Sequence, residues 1–122
     1  MIDVVSLKMA KKLKEAGYPQ DSYWFHTGKI LLERERVVSC IENGSDESKF
    51  YAAPSVGELL AQLPKIVKDC RLEIHKYGLE EYVVKYSLIF YSCDDPQLVM
   101  FEGLLADACG EMWIWLKKEG LL

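Results

Sequence analysis

The segment 101–122, FEGLLADACGEMWIWLKKEGLL, constrains this chain most, because it carries the longest clean helical period. At 100° per residue, Phe101, Leu105, Ala108, Cys109, Met112, Trp115 and Leu116 fall within an arc of roughly 100°. Asp107, Glu111, Lys117 and Lys118 lie outside that arc. The spacing therefore predicts a long amphipathic helix with one core face. Lys117 and Lys118 favour the negative end of its dipole, and Gly120 supplies a left-handed stop. The opposite side is less ordinary, since Gly103, Gly110 and Ile114 share a stripe with Trp113 at its edge. Each glycine costs about 1 kcal/mol of helix propensity relative to alanine. Two readings follow: the chain's own elements cover this stripe, or it forms a self-association or partner surface built on Gly103, Gly110, Trp113 and Ile114.

A chain of 122 residues is expected to make one domain, here 1–122, with a single core burying about two thirds of the unfolded surface. Half the residues are apolar and 28% are charged, which fits a globular chain rather than a disordered one. The net charge of −4 gives no general attraction to phosphate backbones or anionic membranes. Asp3 and the early lysines interrupt what a signal peptide would need as its apolar stretch. No apolar run approaches the ~20 residues needed to span a bilayer. A cytoplasmic protein is the expectation, with no membrane contact. In that compartment Cys40, Cys70, Cys93 and Cys109, which contain no CxxC pair, read as small buried hydrophobes, with disulfides the weaker alternative.

From the N-terminus, Ser6 can cap a helix running to about Ala16, with Gly17 as its stop. Lys8, Lys11, Lys12 and Lys14 form its polar side. They read first as a solvated face, and as a nucleic-acid contact only in the alternative. Residues 21–26 are aromatic and extended by preference, and Thr27-Gly28 makes a hairpin connection onward. Residues 29–42 are ambiguous between helix and strand. Ile30, Leu31, Arg34, Val37, Val38 and Ile41 follow a helical period, but the β-branched pairs and flanking glycines lead us to strand. Asn43-Gly44 would then turn the chain back into 49–53. Ser55 and Glu58 form a capping box for a short helix ending at Pro64. Alternation marks strands at 70–77 and 81–91 joined around Gly78, the second apolar on both sides in its later half. Cys93, Asp94, Asp95 and Pro96 break the pattern before the last helix. The fold class is therefore α+β: an antiparallel sheet packed by a long C-terminal helix, with two shorter helices.

Chemistry is poorly signalled. The cysteines, His26, His75, Asp94 and Asp95 lack the local spacing of a zinc site, so no metal is expected. Nucleotide-binding and metalloprotease signatures are absent, so no cofactor is indicated. No catalytic set emerges; an enzyme would need folding to bring a histidine to a cysteine or carboxylate, as with Cys93 and His75. The strand aromatics read as core and cross-strand packing, and base stacking would need a basic groove beside them.

Three stretches, SLKMAKKLKEAGYPQDSYWF at 6–25, YAAPSVGELLAQLP at 51–64 and LLADACGEMWIWLKKEGLL at 104–122, resemble a group of small uncharacterised phage and prophage proteins of bacteria. The resemblance lies in caps, turns and core positions over somewhat under half the chain. It implies the same α+β build and no activity or functional residues. The expected role is protein binding, to an unknown protein partner or to a second copy in a homodimer. A nucleic-acid-binding accessory protein and a small Cys/His enzyme are the alternatives.

Overall fold

The computed structural model describes residues 3–88 and 97–122. Helix α1 (Leu7–Glu15) starts as its sequence requires, with the Ser6 hydroxyl accepting from the Met9 amide at 3.2 Å. Strands β1 (Trp24–Thr27) and β2 (Ile30–Glu33) form the expected hairpin, in register from Trp24 opposite Glu33 to Thr27 opposite Ile30.

Residues 29–42 depart from the strand reading. Only Ile30–Glu33 is extended, and helix α2 (Arg34–Glu42) follows at once. The helical period prevails because it puts Val37, Cys40 and Ile41 together against Phe25 and Phe50, making a second small core with Ala52 and Leu32. Arg34, Glu35 and Arg36 then all face solvent, which removes the alternation of charge across both faces that a strand would have forced. Asn43-Gly44 consequently ends a helix rather than turning a hairpin, and Gly44 takes φ +98°. A 3-10 turn (Glu47–Lys49) leads into the short strand β3 (Tyr51–Ala52), which pairs with β1 through Phe25 opposite Ala52. The first sheet has the order β2-β1-β3.

Helix α3 (Val56–Gln62) carries the full capping box, with Ser55 Oγ accepting from Glu58 N at 3.2 Å and Glu58 Oε1 accepting from Ser55 N at 3.0 Å. A second, four-stranded antiparallel sheet follows: β4 (Ile66–Val67), β5 (Cys70–Lys76), β6 (Tyr82–Leu88) and β7 (Gln97–Gly103), neighbours in that order. The expected continuation of β6 through Ile89, Phe90 and Tyr91, and the break at 93–96, lie outside the described residues.

The last helix is shorter than its period implies. Helix α4 spans Leu105–Lys118, and Phe101 and Gly103 belong to β7, opposite Val84 and Tyr82. Pairing with β6 satisfies backbone groups that a helix start would leave open, and Gly103, at φ +135°, ends the strand in a conformation other residues rarely adopt. Helix α4 packs on β6 and β7, where Val84 and Tyr86 meet its Met112, Cys109 and Leu116 in one core cluster. Tyr86 Oη donates to the Pro64 carbonyl at 2.6 Å, giving the only polar atom of this fully buried ring a partner. Helices α1 and α3 flank α4. The fold class is α+β, with two antiparallel sheets and α2 as a helix the strand reading omitted. No helix among the described residues is long and apolar enough to cross a membrane.

Candidate functional site

The stripe is not an open back where it lies on α4: Gly110 faces α1, and Trp113 and Ile114 are buried. A Cβ on Gly110 would stand 2.9 Å from Met9 Cγ and 3.1 Å from Met9 Sδ, so the absent side chain is what lets α1 come so close. Trp113 is 3% exposed, its Nε1 donates to Gln62 Oε1 at 3.0 Å, and its ring meets Tyr18 edge-on at 4.9 Å. Ile114 is 9% exposed, and Gly103 lies in a strand. The four residues expected to form one surface are thus divided between a buried helix seam and the end of β7. Packing against α1 explains Gly110, and Trp113 is held by Gln62 and Tyr18.

The lysine face is also largely committed to its own chain. Lys12 pairs with Glu111 at 3.2 Å, Lys14 donates to the Phe50 carbonyl at 2.9 Å, and the amines of Lys14 and Lys11 stand 4.9 and 5.5 Å from the Tyr51 ring centroid. Lys8 is exposed. This arrangement ties α1 to β3 and α4 rather than presenting a row of phosphate contacts.

Nor do the thiols and imidazoles described converge on a nucleophilic centre. Burial, with a further contribution from Asp3, pushes the Cys109 thiol up to about 11, which suppresses the reactive thiolate. Cys70 is buried as well. His26 Nε2 lies 2.8 Å from the Val5 carbonyl oxygen, and His75 Nε2 lies 3.5 Å from Glu73 Oε1. Among the described residues no group of three or more His, Cys, Asp or Glu could hold a metal ion. The pairing of His75 with Cys93, and the carboxylates of Asp94 and Asp95, fall outside the described residues.

The second sheet supplies a different site. Register puts Leu72, Val84, Tyr86, Val99 and Phe101 on the face that α4 covers, so Glu73, His75, Val83, Lys85, Met100 and Glu102 point the other way. The Tyr77 amide donates to the Glu81 carbonyl at 2.8 Å, closing the β5–β6 turn and carrying the same alternation to its tip. There Tyr77 is 68% exposed and Leu79 is 93% exposed. Beneath this tip lies a cleft of about 420 Å³ lined by Tyr77, Glu81, Tyr82, Val83, Met100, Glu102 and Gly103. The lining combines Val83 and Met100 with the rings of Tyr77 and Tyr82, and its charged residues are Glu81 and Glu102. Positive charge stands close by: Lys85 lies directly opposite Met100, and the Lys76 amine is 5.7 Å from the Tyr82 ring centroid.

The cleft is not visible in the sequence. Met100 and Glu102 come together with Val83 only because 97–103 is a strand, which the helical reading of 101–103 concealed. Tyr77 and Leu79, however, gave a usable signal, since two large apolar side chains beside a turn glycine have little chance of burial.

The fold and site together define an α+β architecture whose four-stranded antiparallel sheet is covered by a helix on one face, with two exposed apolar side chains and a cleft at the β5–β6 turn end. Comparison with protein-family models, curated proteins and solved structures gives no match.

Proposed function

We propose that this chain is a small cytoplasmic protein-binding module of phage or prophage type, acting through the β5–β6 turn and the sheet face below it. The observation that carries this reading is the exposure of Tyr77 and Leu79 at the β5–β6 turn, where Tyr77 also lines the cleft. Large apolar side chains that a partner covers contribute burial free energy, offset in part by the ordering of each side chain. The resemblance of 6–25, 51–64 and 104–122 to small phage proteins supports the biological setting. A different protein is favoured over a second copy joined along the α4 stripe by the packing of Gly110 against Met9 and Leu13 and by the burial of Trp113.

Affinity purification from a phage-infected or prophage-induced host tests the reading, comparing wild type with Tyr77→Ser/Leu79→Ser. The exposed positions leave folding nearly unchanged. A specific partner should be recovered with wild type and reduced about tenfold or more with the double variant. Recovery equal for both proteins, or no specific partner with either, would refute it.

A further inference from the structure

We infer that the cavity beside α2 binds a small, neutral, largely apolar molecule. The site goes beyond the protein-binding reading, since none of its residues belongs to the β5–β6 turn or to the sheet face below it. The cavity holds about 600 Å³, inside the range of about 300–1,000 Å³ usual for small-molecule sites. Helix α2 contributes Arg34, Val37, Val38 and Ile41, and their i, i+3, i+4, i+7 spacing makes them one face of the helix. Phe25 and Phe50 line the cavity from the small core on which α2 rests. Of the nine residues of α2 only Val37 is buried, and Val38 stays 47% exposed, so the chain itself covers this apolar face only in part.

The polar rim decides the chemistry of the ligand. Its charged members are two cations, Lys14 and Arg34, and two carboxylates, Asp21 and Glu47, so the lining carries no net charge. The rim donors are also engaged within the chain. Lys14 Nζ donates to the Phe50 carbonyl at 2.9 Å and stands 4.9 Å from the Tyr51 ring centroid, and Arg34 Nη1 donates to the Asp21 carbonyl at 3.0 Å. Gln20 is used at both ends, its Nε2 donating to the Tyr18 carbonyl and its Oε1 accepting from the Ala52 amide, each at 2.9 Å. These contacts fix the rim and leave the apolar residues as the surface that recognises a ligand. An ion entering here meets no unbalanced counter-charge to offset its desolvation, whereas an uncharged apolar molecule gains burial against Val38, Ile41 and the two phenylalanine rings.

The probe is N-phenyl-1-naphthylamine, an uncharged dye whose emission rises on leaving water, compared with its anionic relative 8-anilinonaphthalene-1-sulfonate. Expected is a saturable rise with one neutral dye per chain, insensitive to salt, and binding of the anionic dye about tenfold weaker. Intermolecular nuclear Overhauser effects should connect the neutral dye to the methyl groups of Val37, Val38 and Ile41 in the wild-type protein, which needs no variant. Val38→Asp sets a carboxylate on the lining at an exposed position and should weaken binding about tenfold. Ile30→Asp, at a residue 60% exposed and outside the lining, should leave binding unchanged. No saturable rise, Overhauser contacts to other methyl groups, tighter binding of the anionic dye, or equal weakening by the two substitutions would overturn the inference. Loss of the dye on concentrating the protein, with a matching increase in mass by light scattering, would give the cavity to a second copy and overturn it as well.

Discussion

Replacing Gly110 with alanine should destabilise the fold by about 1 kcal/mol, although alanine is the better helix former. Two effects oppose each other. Removing glycine from the interior of α4 gains about 1 kcal/mol of helix propensity. The new methyl group, however, would lie 2.9 Å from Met9 Cγ, 3.1 Å from Met9 Sδ and 3.6 Å from Leu13 Cδ1, closer than the first two atoms tolerate. Met9 is itself buried, so its side chain cannot swing into solvent. Overpacking of this kind costs about 1–3 kcal/mol, which leaves the net near 1 kcal/mol unfavourable. A double-mutant cycle with Met9→Ala separates the two effects, because truncating Met9 removes the clash and keeps the propensity. In that background Gly110→Ala should stabilise by about 1 kcal/mol, giving a coupling of about 2 kcal/mol. Urea unfolding followed by tryptophan fluorescence reads all four corners. A stabilising Gly110→Ala in the wild-type background, or the same change in both, would show that α1 does not approach α4 as closely as described.

Other parts of the fold give independent tests. Ser55→Ala should cost about 1 kcal/mol in urea unfolding, by opening the capping box at the start of α3. Trp113→Phe, which keeps a ring but loses the donor to Gln62, should cost about 1 kcal/mol, and Trp113→Ala about 3–5 kcal/mol. Alkaline stability reports the buried phenols: burial pushes Tyr86 up to about 12, and burial together with Glu58 and Asp21 pushes Tyr18 up to about 12. The unfolded chain then releases these protons first, so stability is intact below an ordinary tyrosine value of 10 and falls as pH rises from there toward about 12. Tyr86→Phe should make that fall shallower in urea midpoints measured across the range, and an unchanged slope would contradict the buried phenol.

Local chemistry was legible wherever a side chain answers a backbone need close to it in sequence. Ser6 caps α1, Ser55 and Glu58 box the start of α3, and the β1–β2 hairpin forms as expected, its turn at Gly28 and Lys29, one residue beyond the expected Thr27-Gly28. The alternation of 70–76 and the apolar arc of Ala108, Cys109, Met112 and Leu116 likewise gave the right element and the right buried side. Each depends on a period or a hydrogen bond spanning a few residues. Tertiary structure decided what that range cannot reach. Residues 34–42 became helix because Phe25 and Phe50 were there to receive Val37, Cys40 and Ile41. Residues 101–103 left the helical period because β6 offered them partners, and Gly110 became a close-packing point because α1 lies against it. The cleft itself joins Glu81 and Val83 to Met100 and Glu102 by strand pairing alone. The sequence by itself therefore determined the caps, most turns and the apolar faces, where the deciding contact lies within a turn or two of the residue. Only the tertiary structure settled which faces stayed open, since burial depends on what distant segments bring against them.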